Sequence, residues 1–371
     1  MNKDVPISNS SKFKGNALLF YVLDIGDEID LEKIHKKGLI NVKTTPLSPY
    51  FKNYHRPLSF SLSANQKNYD QELQENVEGG QATCLMSKIH NFGVISFCYK
   101  VSFYDSLEGL KLKLIEISNL LSQKSKKDAK LVYEKILPTI KKPRFYNLDN
   151  FYFAVQVDPL SGEVDPHKFK ESFGREIASL LRLETESLSS YQLKEILSAT
   201  TGYSGEDFMI IDTEASFIYD DEYYEVLEFF EFANIQLLEL RYFDRILDEK
   251  LNYFYMQKHY KIPLSAYIPF LGEKFLHVFI LSQIKVDISV ITERLEYSIK
   301  MAGDTYFTEV YSILSDQLSL KDWRDSINKK LEIINDIYTV YQDRLDIIRD
   351  EILTTVIIIL IIIEAAIAFW K

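Results

Sequence analysis

The sequence predicts an α+β protein, a mixed α/β N-terminal domain followed by long heptad-patterned helices and a C-terminal transmembrane helix. Three observations carry that prediction. Short apolar runs bounded by turn residues crowd the stretch up to residue 220, as strands do. From Glu222 to Gln257 no glycine or proline appears, and apolar residues recur at spacings of three and four. A nineteen-residue run, Ile352 to Trp370, then holds one charge, Glu364.

Taken in order, residues 1 to 15 are polar and read as a loose arm. Ala17 to Leu23 reads as a buried strand. Asp30 is an N-cap residue and Gly38 a left-handed stop, so a helix is expected through Lys37. Pro46, Pro49 and Pro57 mark loops, and Leu58 to Leu62 alternates as a short strand. Gly79-Gly80 precedes two apolar segments, Thr83 to Ile89 and Gly93 to Phe103, expected as a hairpin turning near His90-Asn91. A helix follows over Asp105 to Leu121, and a lysine-rich stretch separates it from a second, Leu131 to Ile140. Phe151 to Val157 is a strand, Pro159 to Gly162 a turn, and Pro166 to Leu183 a helix with Phe169, Phe173, Ile177 and Leu180 on one face. Tyr191 to Ala199 is a shorter helix; Phe208 to Ile211 and Phe217 to Tyr219 are short strands.

The long helix from Glu222 carries one narrow apolar seam of Val226, Phe230, Ala233, Leu237, Leu240, Leu247 and Leu251. After a linker at Pro263 and Pro269, a helix is expected over Ile288 to Met301. A second seam, Ile327, Leu331, Ile334, Tyr338, Tyr341, Leu345, Ile348 and Ile352, runs into the apolar segment with no glycine or proline after Gly303. The two seams pack either on each other or on a second copy, and periodicity leaves both open. The organisation expected is therefore an arm over 1–15, an α+β domain over 16–220, a helical or coiled-coil region over 221–351 and a transmembrane helix over 352–370.

As a helix the last run is ~28 Å long, matching the ~30 Å hydrocarbon core of a bilayer. Core helices are rarely apolar on every face, so a spanning helix is the expectation, with Trp370 and Lys371 as interface anchors. Lys329, Lys330, Arg344 and Arg349 precede it and Lys371 alone follows, which keeps the N-terminal body in the cytoplasm or an equivalent compartment such as the matrix. No signal peptide and no second span are expected, so the chain reads as tail-anchored with a lipid bilayer as its first partner.

Apolar content of 46%, charged content of 26%, and 24 Tyr with 24 Phe describe a folded protein with bulky side chains to bury. Cys84 and Cys98 sit in strand-like sequence and are expected as reduced thiols. The net charge of −11 disfavours a general nucleic-acid binder. Its distribution is uneven: Lys111 to Arg144 holds ten basic residues against three acidic, whereas Glu206 to Lys250 holds fourteen acidic against three basic. Lys124, Lys126, Lys127, Lys141 and Lys142 form a possible surface for anionic headgroups or RNA phosphates; the alternative is an exposed segment that pairs with acidic residues or solvent.

No chemistry-bearing motif appears. The six histidines lack metal-ligand spacing, Thr201-Gly202-Tyr203-Ser204-Gly205 lacks the lysine of a phosphate loop and reads as a turn, and no nucleophile elbow exists. No catalytic, cofactor or metal residue is nominated. Two ionisable residues sit where charge is costly. Asp244 interrupts the first seam and is expected to meet Arg241, Arg245 or an arginine on a neighbouring helix as a register-fixing pair, unless the seam opens to water there. Glu364 lies inside the span, where a carboxylate costs ~2 to 3 kcal/mol unless paired, hydrated or protonated. At ~100° per residue it faces away from the seam line of Thr355, Ile359, Ile362 and Ala366, with Leu360, Ile361 and Ala368 beside it. It either meets another membrane helix or snorkels to the headgroups.

Asn328-Lys329-Lys330-Leu331-Glu332-Ile333-Ile334, followed by Leu353 and then Val356 to Glu364, resembles the Required for Meiotic nuclear Division family, also called domain of unknown function 155. The likeness covers residues 317 to 366, with Thr354 and Thr355 in place of the family's Glu-Trp pair; Ala17 to Lys37 and Asn91 to Asp105 look like that family's opening and central strand. The resemblance implies an integral inner-membrane protein, bacterial or mitochondrial, without assigned catalysis, whose mitochondrial members support translation of membrane-embedded respiratory subunits. The function expected is a membrane-tethered, non-enzymatic scaffold for an unidentified protein partner. The alternatives are a small-molecule enzyme or sensor with a pocket in the α+β domain, or a tether of RNA or ribosomes through Lys111 to Arg144.

Overall fold

A computed structural model describes residues 11–43, 57–62, 82–145, 148–159, 165–256, 286 and 305–370. The chain divides into two compact units, Met1–Glu239 with Glu296–Lys321, and Leu240–Leu295 with Asp322–Lys371.

Among the described residues of the first unit, eleven strands are β1 (Phe13–Asp24), β2 (Glu28–Ile29), β3 (Asn41–Lys43), β4 (Leu58–Ser61), β5 (Ala82–His90), β6 (Val94–Asp105), β7 (Ile140–Lys141), β8 (Asp149–Val157), β9 (Thr200–Thr201), β10 (Phe208–Ile211) and β11 (Ala215–Tyr219). Nine of them form one sheet in the order β3-β4-β5-β6-β1-β8-β11-β10-β9, while β2 and β7 pair apart. Every neighbour in the large sheet is antiparallel except β8 and β11. A parallel pair needs a long crossover. Here α3 (Pro166–Leu181) and α4 (Ser190–Ser198) supply it, ahead of β9 and β10. The remaining helices of this unit are α1 (Leu31–Lys37) and α2 (Leu107–Ile136), with α5 (Val226–Met256) beginning in it and α6 (Thr305–Gln317) completing it.

β1 lies mid-sheet and buries both faces, which is why Ala17 to Leu23 reads as one unbroken apolar run. Strand side chains alternate between faces. Leu19 and Tyr21, Phe97 and Tyr99, Phe153 and Val155, and Phe217 and Tyr219 share one core with Leu110 and Leu114 of α2 and Phe169 and Phe173 of α3. The Tyr21 hydroxyl donates to the Ser118 carbonyl of α2 at 2.7 Å. On the opposite face, Phe20 and Tyr152 meet Phe230 of α5 at 6.4 and 5.5 Å between ring centroids, and Val22 and Val94 cluster with Ile235 and Leu238. Helices therefore cover both sides of the sheet.

The local signals hold. Asp30 accepts from the Lys33 amide at 2.9 Å, and Gly38 closes α1 at φ +58°. The β5–β6 hairpin turns over residues 91–93, where Gly93 has φ +94° and a Cβ would lie 1.6 Å from the Gly26 carbonyl oxygen. Neither Cys84 nor Cys98 is in a disulfide.

Four expectations change. Phe13 belongs to β1 rather than a loose arm, because its ring is buried against Phe169 and Phe173 at 5.5 and 5.0 Å. The two helices expected over 105–140 are one, since the lysine-rich stretch is made of good helix formers and turns Ser125, Asp128 and Ala129 inward. α5 is no narrow seam in its first turns: every residue from Phe229 to Gln236 is buried, polar ones included. It lies between the sheet and α6, where Phe229 stacks on Phe307 at 5.0 Å and Phe232 meets Tyr311 at 6.3 Å. Finally, the stretch after Gly303 breaks at Ser319, which adopts φ +50° between α6 and α7 (Leu320–Phe369), with Leu314, Leu318 and Leu320 buried around the break. No glycine or proline marked it. The loops at Pro46, Pro49 and Gly79-Gly80, the turn after Pro159, the linker at Pro263 and Pro269 and the helix expected over Ile288 to Met301 lie outside the described residues.

In the second unit, α5 from Leu240 and α7 from Asp322 are joined by charge. Lys330 meets Asp244 and Asp248, each at 2.7 Å, and the Ser326 hydroxyl donates to Asp244 at 2.8 Å. Over Arg349–Phe369, none of the helix is buried.

Candidate functional site

A cleft of about 670 Å³ opens in the first unit where the N-terminus of α5 meets two loops and the start of α6. The loop at 203–207 is fixed by Asp207, whose Oδ2 accepts from the Tyr203 amide at 2.7 Å and whose Oδ1 accepts from the Ser204 amide at 2.6 Å. Gly202 permits that turn, since a Cβ there would come within 2.7 Å of the Asp207 carbonyl oxygen. This is the turn expected at 201–205. The second loop follows β11: Asp220 accepts from the Glu222 amide at 3.0 Å, while its carbonyl takes a hydrogen bond from Gln156 at 2.8 Å. Tyr306 of α6 closes the opposite wall, edge-on to Tyr203 at 5.3 Å.

The electrostatics are one-sided. Glu206, Asp207, Asp220, Asp221, Glu222 and Glu225 all line the cleft, and no lining residue is basic. Burial pushes the Asp220 carboxyl above its ordinary range, and the neighbouring Asp207 and Asp221 charges push the same way. A cleft with negative charge and tyrosine walls attracts cations, through Coulomb steering at distance and ring faces at contact. Within it the Ser204 hydroxyl donates to Asp207 Oδ1 at 2.6 Å, which further fixes the 203–207 loop.

Beneath α5 lie two buried polar clusters. Lys88 and His90 project from β5 and Ser96 from β6 toward Glu231: Lys88 Nζ lies 2.5 Å from Glu231 Oε2, the Ser96 hydroxyl donates to Oε1 at 2.5 Å, and His90 Nε2 lies 2.9 Å from Ser96 Oγ. Burial alone would raise Glu231, yet the Lys88 charge holds it below the usual carboxylate range; burial holds His90 below the usual histidine range, neutral at pH 7. Serine, histidine and glutamate together resemble a catalytic set. All four side chains are nonetheless buried, so no substrate reaches them; they fix α5 to the sheet.

The second cluster gathers around Arg144. Its Nε and Nη2 donate to Asp24 at 2.9 and 3.0 Å, and Nη1 donates to Asp27. Glu239 of α5 is buried in the field of all three, with Oε1 lacking a hydrogen-bond partner. Burial pushes Asp24 up to about 6 against the pull of Arg144. Burial and the Asp24 charge push Glu239 well above the usual carboxylate range.

The residues singled out from sequence fall elsewhere. Asp244 pairs with Lys330 rather than Arg241 or Arg245, and Arg245 turns to Glu249 at 3.3 Å. Adjacent helix positions point ~100° apart, so Arg245 cannot face its neighbour, and the cation comes from α7. Of the five lysines, Lys124 lies 3.6 Å from Asp128, Lys126 2.9 Å from Asp149, Lys141 3.6 Å from Glu28 and Lys142 3.1 Å from Asp27; Lys127 is exposed. Glu364 is exposed on α7. Among the described residues, no group of three or more metal-ligating side chains is placed to hold an ion. The cleft and both buried clusters escaped sequence reasoning. The available signals were the density of acids over Glu206 to Glu225, and the polar Lys88 and His90 at alternate positions of an apolar strand.

A family model described as uncharacterized protein MJ0711, N-terminal domain, matches residues 14–225, more than half of the chain. The uncharacterized protein MJ0711 of Methanocaldococcus jannaschii is 28% identical over 242 residues, covering 65% of this chain and 72% of that protein. No solved structure matches. The matched range takes in the sheet and both loops of the cleft and stops where α5 begins.

Proposed function

Since the chain belongs to the family described as uncharacterized protein MJ0711, N-terminal domain, we propose its function from its own chemistry: a membrane-tethered interaction protein without catalysis. The single observation that carries this is α7, whose 21 residues Arg349–Phe369 are long and apolar enough to cross a bilayer and of which none is buried by the described residues. An apolar helix left uncovered by its own chain is stable in lipid and not in water. Lys329, Lys330 and Arg349 ahead of it favour a cytoplasmic body. The family match over residues 14–225 is to this uncharacterized family and not to the Required for Meiotic nuclear Division family, whose resemblance over residues 317 to 366 lies outside the matched range.

The partner engages the acidic cleft, which favours lysine or arginine side chains of another protein. A volume of about 670 Å³ also falls within the range of small-molecule sites, which favours a second reading with a small organic cation in the same place. The membrane reading is tested by flotation with lipid vesicles and by alkaline carbonate extraction. The full chain is expected to float and to stay in the pellet, and a chain lacking residues 352–371 to remain soluble. Equal flotation of both removes the proposal.

The cleft is tested by charge. Replacing the exposed Asp221 and Glu222 by lysine is expected to weaken binding of a lysine-rich peptide by tenfold or more at low salt, read by fluorescence anisotropy. Unchanged binding places the partner elsewhere.

A further inference from the structure

We propose that Glu364 pairs with Glu364 of a second copy of this chain inside the bilayer, joining two α7 helices through a carboxyl pair; this rests on the spanning reading above. Two threonines share the apolar run with it, and both are satisfied within their own helix: Thr354 Oγ1 donates to the Asp350 carbonyl and Thr355 Oγ1 to the Glu351 carbonyl, each at 2.8 Å. Glu364 is the one ionisable side chain from Ile352 to Phe369, and among the described residues it makes no hydrogen bond or ion pair. About 20 Å of helix separates it from Glu351 and about 9 Å from Trp370, so on the spanning reading it lies within the hydrocarbon. Unsatisfied there, it is costly.

A protonated carboxyl is both donor and acceptor. It is therefore complementary to itself across a two-fold axis, whereas a cationic partner requires a different chain that buries its own charge. The helix surface suits close approach. Ala368 lies one turn beyond Glu364 on the same face and Ala365 beside it, small enough to let two backbones near one another. The intrachain contact of α7 lies elsewhere: Lys330, which meets Asp244 and Asp248, is about 160° around the helix from Glu364 at ~100° per residue. The face carrying the carboxyl is thus not the one used against α5.

The test uses the full chain, labelled at the N-terminal amine with donor or acceptor dye in separate batches and reconstituted together in phosphatidylcholine vesicles. Flotation reads insertion, and energy transfer on dilution with lipid reads pairing. The wild type is expected to float and to show transfer above random proximity. Glu364→Gln, which keeps a donor and an acceptor, is expected to retain at least half of the transfer. Glu364→Leu is expected to float equally well with transfer reduced at least fivefold. A wild type that floats without transfer overturns the pair while leaving the anchor intact, the outcome if Glu364 snorkels or meets another protein's helix. Glu364→Leu with undiminished transfer also overturns it, assigning association to another surface. A wild type that fails to float overturns the spanning reading and the pair with it.

Discussion

Lys88→Met is expected to cost the sheet-bearing unit about 3 to 5 kcal/mol, because it strands Glu231 as a buried carboxylate without its cation. Both partners are buried and 2.5 Å apart. Two hydrogens from Ser96 and Lys88 now satisfy Glu231; removing the lysine leaves the Ser96 hydroxyl and a neutral His90, and neither supplies charge. The double variant Lys88→Met with Glu231→Leu is expected to recover most of the loss, since two apolar groups need no counter-charge. Denaturant unfolding of the full chain in detergent checks both. Equal losses in the single and double variants would mean that packing volume, not the charge, sets the cost.

The second cluster is expected to lose stability as pH rises. Glu239 ionises in the folded protein well above its ordinary range, because burial, the missing hydrogen bond at Oε1 and the Asp24 charge oppose ionisation more than Arg144 assists it. A carboxyl raised on folding contributes stability that is fully present below its unfolded value and is lost as pH rises through its folded value. Each pH unit in that window costs about 1.4 kcal/mol for one proton. Asp24, raised to about 6, adds a loss in the same direction between the ordinary aspartate range and that value. Thermal unfolding from pH 5 to 9 is therefore expected to fall in midpoint with rising pH. Glu239→Gln, which keeps the shape and removes the proton, is expected to flatten the alkaline part of that slope. A slope unchanged in the variant assigns the proton elsewhere. Arg144, Asp24 and Asp27 are the charged groups that face Glu239, and all belong to the sheet side of the cluster.

Legibility followed the range of the interactions. Asp30 and Gly38 announced α1 because capping is decided within a few residues. The hairpin of β5 and β6 was visible for the same reason. The Ser319 break was not, since nothing local requires it; burial of Leu314, Leu318 and Leu320 stabilises a left-handed serine that no sequence rule selects. The first half of α5 misread as a seam because Glu231, Asn234 and Gln236 are polar and look solvent-facing. Each is instead buried against a polar partner: Lys88 for Glu231, Asn150 for Asn234, Tyr311 for Gln236. Those partners lie 75 to 143 residues away. The Asp244 pair was half legible: the need for a cation came from its seam position, its identity from α7.

By itself, the sequence determined the α+β class, the longer strands such as β1, β6 and β8, and the apolar run with its lone carboxylate, because periodicity, caps and hydropathy act within a few turns of chain. Only the tertiary structure decided that β1 lies mid-sheet between β6 and β8, that one helix is buried on every side in its first turns, and that acids from two loops face Tyr306 across one cleft. Those outcomes depend on pairing between segments far apart in sequence, where burial turns a polar residue from a surface group into one that demands a particular partner.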